Sequence, residues 1–323
     1  MEEPRHPVAG IDYAKTFQEF DEWFSSDDAC IDYIAKLRWP SGFCCPSCGN
    51  ITEKPSFTAR GLILCRKCKR QTSITSGTLF HKTRKPLRTW FLAMWFVTSQ
   101  KHGASALGLQ RVLGLGSYNT AWTWLHKLRR AMVRPGRGQL TGVVEIDETY
   151  VGGVGVKVRG RGAKRKVIVA IAAEVRERGP GRIRMSIIPD VSAISLHEFV
   201  LNNVTKGAEL RTDGWKGYNG IKAKGYRHIV TNISDSENPA HVVMPRVHRV
   251  ASLLDRWWLG IHQGAIRPVH LDYYLDEFTF RFNRRTSRAR GLLFYRLLEQ
   301  AVDCAPVSRQ MIIGGHPQHI VDG

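Results

Sequence analysis

The chain has 323 residues, 43% of them hydrophobic, enough for two or three domains and a sizeable core. Lys and Arg total 48 against 28 Asp and Glu, a formal net charge of +20. No apolar run reaches 18 residues and the acidic N-terminus lacks a signal-peptide core, so the expected location is cytoplasmic, with no membrane partner.

The charge is segregated. Residues 1–43 hold nine acids and four bases, whereas residues 44–138 hold 17 bases and a single acid, Glu53. Ordinary solvation intersperses the two signs, so a stretch this one-sided predicts a polyanion partner. DNA or RNA fits better than an anionic membrane surface, because no basic helix with a clean apolar face stands out. Seven cysteines, an odd count in an intracellular chain, argue against a disulfide framework.

In chain order, Thr16–Phe24 and Ala29–Leu37 read as short helices, with apolar residues such as Phe17, Phe20 and Phe24 at helical spacing and Ser26-Asp27-Asp28 as a capping region. Cys45-Pro-Ser-Cys48 and Cys65-Arg-Lys-Cys68 follow, 16 residues apart, a spacing that predicts a Zn²⁺ ribbon. Cys44 competes with Cys45, but only Cys45 leaves two residues before Cys48. Four thiolates close the coordination sphere, so this zinc is structural. A strongly apolar helix is expected over Leu87–Thr98. Two more, at Ala104–Gly116 and Asn119–Arg130, flank a glycine-containing turn in the manner of a helix-turn-helix. The second carries Thr123, His126, Lys127, Arg129 and Arg130 on its polar side, and Lys127, Arg129 and Arg130 are the expected DNA contacts.

Residues 135–140 read as a linker. Thr141–Gly153 then reads as a buried strand whose apolar run ends in Asp147 and Glu148 before two glycines. Lys157–Lys166, with six bases in ten residues and two glycines, reads as a basic loop: a solvated loop is the default, and Lys164, Arg165 and Lys166 are candidates to close on a phosphate backbone. Strands are expected at Val167–Val175 and Arg182–Ile188, a helix at Ser192–Val204, and a further strand ending in Asp213-Gly214. Two adjacent strands of this design would set Asp147 and Asp213 side by side, a minimal cage for Mg²⁺ or Mn²⁺. Turn-forming Asp residues ahead of Gly-rich loops fit the same segments. Helices are expected over 247–260 and His270–Arg285, and no pattern emerges in the last 20 or so residues.

Five stretches together resemble the bacterial insertion-sequence transposases that join a zinc ribbon to a ribonuclease-H-like DDE-type core. They are Arg38–Gly49, Thr75–Trp90, Glu145–Gly153, Thr212–Tyr218 and Tyr274–Arg285. The resemblance implies an α/β fold: residues 1–42 an N-terminal helical segment, 43–72 the zinc ribbon, 73–138 the helix-turn-helix region, 139–300 a mixed-sheet catalytic core with a helical C-terminal part, and 301–323 a tail. It implies that Asp147 and Asp213 are the first two metal ligands. The third, variable position falls on His248, with 34 residues between it and Asp213. The family's usual Lys seven residues later is replaced by Asp255, which leaves Arg249 or Arg256 as the phosphate contact.

The implied reaction is metal-dependent cleavage and transfer of DNA strands at element ends, an in-line displacement in which two ions about 4 Å apart activate the attacking oxygen and stabilise the leaving one. Imidazole suits Mn²⁺ better than the harder Mg²⁺. Double-stranded DNA and further copies of the chain in a synaptic complex are the implied partners. Glu148 and Glu237 are spare carboxylates. A regulator with a degenerate core, which Asp255 favours, and a nuclease that cleaves without joining are the rival readings.

Overall fold

A computed structural model of the protein describes residues 6–58, 60–134, 136–151, 166–231, 240–262 and 267–315. The chain divides into two compact units, residues 1–134 with 287–313 and residues 135–286 with 314–323.

In the first unit, α1 (Phe17–Trp23) and α2 (Asp27–Arg38) each begin on a hydroxyl. Thr16 Oγ1 accepts from the Glu19 N–H at 3.1 Å and Ser26 Oγ from the Ala29 N–H at 3.2 Å, satisfying donors that a helix start leaves orphaned. Strand β1 (Phe43–Cys44) pairs antiparallel with β2 (Ile51–Thr52), and β3 (Ser56–Phe57), β4 (Ile63–Leu64) and β5 (Gln71–Thr72) form a small antiparallel meander. These short ladders are the ribbon.

Helix α3 (Leu87–Ser99) is apolar nearly all round and accordingly buried. Phe20 packs 4.6 Å from Trp95 and Phe24 4.8 Å from Phe91, while Trp90 stacks on Trp124 at 3.7 Å. Helices α4 (Ala106–Leu113) and α5 (Tyr118–Ala131) are capped by Ser105 and Ser117. Between them Gly114 takes φ 58°, the left-handed closure that costs glycine least.

In the second unit, β6 (Val143–Val151), β7 (Val167–Arg176) and β8 (Gly179–Ile188) form an antiparallel meander. After α6 (Ala193–Asn203), β9 (Glu209–Thr212) joins β6 in parallel and β10 (Arg227–Val230) joins β9 in parallel. The sheet order β10-β9-β6-β7-β8, three antiparallel strands and then two parallel ones, is ribonuclease-H-like, as expected. A short turn of helix, α7 (Ala240–Val243), precedes the long α8 (Pro245–His262), and α9 (Leu271–Asn283) follows.

Strand alternation divides the apolar side chains between two faces. Val144, Ile146, Ala170 and Ala172 pack with Leu196, Phe199 and Val200 of α6. Val169, Ile171, Ala173 and Met185 pack with Val250 and Leu254 of α8 and with Tyr274 and Phe278 of α9.

Helices α10 (Arg290–Asp303) and α11 (Arg309–Gly314) return to the first unit. The expected segments ran the core to residue 300 and left the rest as a tail. The reason for the difference is side-chain packing. Phe294 sits edge-on to Phe20 at 5.1 Å, Leu297, Leu298 and Ala301 are fully buried, and the Ala301 carbonyl accepts from the Leu79 N–H at 3.0 Å. A Cβ on Gly291 would collide with the Ala14 carbonyl, so only glycine lets α10 approach there. No described helix is long and apolar enough to cross a membrane.

Candidate active site

The four paired cysteines converge. Their sulfurs all lie within 4.8 Å of one another, with Cys45 and Cys68 3.6 Å apart and Cys48 and Cys65 3.7 Å apart. Two copies of one backbone knuckle bring them there. The Cys45 N–H donates to the Asn50 carbonyl and the Gly49 N–H to the Cys45 carbonyl. The Cys65 N–H donates to Arg70 and the Lys69 N–H to Cys65, all four at 2.9 Å. Gly49 and Lys69 hold φ 67° and 60°, so the second knuckle carries a lysine in a conformation that costs about 1 kcal/mol or more. The Cys68 amide, helped by the Lys67 amide and neighbouring thiols, brings the Cys65 thiol down to about 6 against the opposing effect of burial. Thiolates gathered this way suit zinc. Cys44 is exposed and lies outside the cluster.

The second unit carries the acidic site. The parallel register pairs Glu145 with Arg211, so Asp147 and Asp213 each lie two residues further along their chains in the same direction, Asp213 just past the end of β9. Asp213 Oδ1 accepts from the Trp215 N–H at 3.0 Å, which fixes the turn leaving β9. His248 lies in the first turn of α8, and its Nδ1 stands 3.7 Å from Asp147 Oδ2, with the two side chains 25% and 23% exposed. Among the described residues, the cysteines are the one group in which three or more ligand atoms lie within 4.8 Å of one another. Asp147, Asp213 and His248 do not close to that extent.

Glu145 was not singled out from the sequence, yet it assembles this site. It is 3% exposed and shares the Asp147 face of β6 by alternation. Its Oε2 accepts from the N–H groups of Arg246 (2.7 Å) and Val247 (2.9 Å), at the start of α8. A carboxylate there satisfies two orphan donors and the positive end of the helix dipole. The signal was available: a buried carboxylate inside an apolar strand needs donors.

Glu148 points to the opposite face, where the Tyr218 hydroxyl donates to its Oε1. Burial, and then the charge and hydrogen bond of Glu148, with smaller contributions from Asp147 and Asp213, hold the Tyr218 phenol well above its usual value.

Residues 139–283 match the ISXO2-like transposase domain, and residues 25–71 match the transposase zinc-ribbon domain. Both matched models are of transposase domains. A relative described as an uncharacterized protein in transposable element ISH50, from Halobacterium salinarum, is 29% identical over 281 residues, covering 80% of this chain and 91% of that protein. Among solved structures, the catalytic core domain of BIV integrase is similar at 18% identity and a TM-score of 0.28, over 43% of this chain and 82% of that one.

The expected DNA contacts are placed unevenly. Arg129 is a correction: it is 2% exposed, and its Nη1 lies 2.9 Å from Nδ1 of the fully buried His126. Thr123 is buried as well. Helix α5 packs against α4 and α10, and Thr123, His126 and Arg129 of its expected polar side are buried. Lys127, Arg130 and Lys166 are half-buried, whereas Arg249, Asp255 and Arg256 are exposed on α8. Lys164, Arg165 and Glu237 lie outside the described residues.

Proposed function

We propose that this protein cleaves the DNA strands at the ends of its element and joins them to a target, with Asp147, Asp213 and His248 as the reacting site. The observation that carries the reading is His248 facing Asp147 at 3.7 Å, with Asp213 just past the end of the neighbouring strand. Two carboxylates and an imidazole, each partly exposed beside a buried sheet, are a donor set suited to Mg²⁺ or Mn²⁺. A divalent ion held there supplies Lewis-acid activation and charge neutralisation at a phosphodiester.

The chain's own residues do the positioning. Glu145 orients His248 through the start of α8. Tyr218 ties back Glu148, which leaves Asp147 and Asp213 as the carboxylates on offer. The basic first unit holds double-stranded DNA, and two or more copies bring the element ends together.

The test is strand cleavage and transfer on a labelled element end with each metal. Asp147→Asn and Asp213→Asn abolish both steps and leave DNA affinity intact. His248→Ala abolishes them too, whereas His248→Glu retains some activity and shifts preference toward Mg²⁺, because an oxygen ligand favours the harder ion. Wild-type cleavage by His248→Ala removes His248 from the site.

A further inference from the structure

The stretch Thr75–Trp90 belongs to no function assigned so far. Its first part, through Thr75, Ser76, His81, Lys82 and Thr83, forms one wall of an open cavity of about 470 Å³ in the first unit, and the ribbon lines the other side through Pro46 and Arg70. Arg70, His81 and Lys82 line the cavity together with the hydroxyls of Ser73, Thr75 and Ser76, and none of its lining residues is acidic. The wall is held from behind. The Arg38 guanidinium donates to the carbonyls of Ile74, at 2.8 Å, and Ser76, and the Thr78 hydroxyl donates to the Thr75 carbonyl at 2.8 Å. Thr78, Leu79 and Phe80 are fully buried beneath it. His81 Nδ1 accepts from the Gly77 N–H at 3.3 Å, so in the neutral ring the proton is on Nε2, the other nitrogen.

We propose that this cavity is a seat for one backbone phosphate of duplex DNA. Arg and Lys only donate, and hydroxyls and an Nε2–H donate readily, which matches a phosphodiester oxygen that only accepts. A base edge presents donors and acceptors together and would need acceptors in return. The cavity also lies within residues 44–138, where 17 bases face one acid, so the surrounding field favours an anion. The seat fixes the position of the duplex without reading its sequence. The proposal rests on the reading that this protein binds DNA.

The test is fluorescence polarisation with the full chain and a short labelled duplex of arbitrary sequence, over a series of salt concentrations. Arg70 and Lys82 are exposed, so Arg70→Gln and Lys82→Gln keep the fold, which unchanged zinc content verifies. Each variant weakens binding and lowers the slope of log affinity against log salt by about 1. The double variant lowers it by the same amount, because both side chains serve one phosphate. Wild-type slopes in the variants, or a loss of about 2 in the double variant, overturn the shared seat while leaving DNA binding in place. A wild-type chain with no salt-dependent duplex binding overturns the DNA reading and the seat with it.

Discussion

Glu145→Ala removes the carboxylate on which α8 begins. The N–H groups of Arg246 and Val247 then lose an acceptor at 2.7 and 2.9 Å. A hydrogen bond to a charged group contributes about 1.5–3 kcal/mol, and a buried orphaned donor costs about 1–3 kcal/mol. Val247 is buried, so its donor has no recourse to water, whereas Arg246 is only half-buried. The attraction between a carboxylate and a helix start adds up to about 2 kcal/mol in a partly buried setting. These contributions overlap, and together they imply a loss of about 3–5 kcal/mol. Glu145→Gln keeps an oxygen in the same place and surrenders the charge, for about 1–2 kcal/mol. Urea unfolding followed by circular dichroism reads the stability, and strand cleavage reads the site. Because His248 rides on the first turn of α8, cleavage should fall in the order wild type, Gln, Ala. An Ala variant that unfolds at the wild-type urea concentration and cleaves at the wild-type rate would refute the reasoning.

Two further outcomes are expected. Chelation or Cys65→Ser should remove zinc, unfold the ribbon and abolish DNA binding while the second unit stays folded; full binding without zinc, measured alongside metal content, contradicts this. Arg129→Ala should lower thermal stability, by about 2 kcal/mol or more given its internal hydrogen bond, and leave the salt slope of DNA binding unchanged; an altered slope at unaltered stability would restore Arg129 as a surface contact.

The elements legible in the sequence are those with strong local signals. The continuous β-branched and apolar run of Val167–Val175 became β7, and the hydroxyl at Ser26 caps α2 as its context implied. The two Cys-x₂-Cys pairs dictated their own knuckles, because each pair must turn within a few residues to aim both sulfurs one way. Strand β10 went unread because Arg227–Val230 is largely exposed at the sheet edge and shows no inward alternation. The polar side of α5 was misjudged for a different reason. A helical projection reports which residues are polar, not whether they have partners inside. Arg129 and His126 partner each other, so both tolerate burial. The destination of α10 was equally out of reach, since it depends on Phe294 meeting Phe20 of α1 and Phe24 just beyond it, far away in sequence.

The candidate site divides along the same line. That Asp147 and Asp213 end short strands is local. That they end adjacent ones depends on β9 docking parallel to β6, which requires a crossover between β8 and β9. Helix α6 supplies it and covers that face of the sheet with Leu196, Phe199 and Val200. The spacing of His248 from Asp213 constrains neither its direction nor its height above the sheet. Glu145 constrains both. It stands two residues before Asp147 on the same face of the same strand, and it grips α8 one and two residues before His248. The carboxylate that faces His248 and the carboxylate that aims it therefore share one rigid strand. Any displacement of α8 along the sheet must break the Glu145 hydrogen bonds before it separates His248 from Asp147.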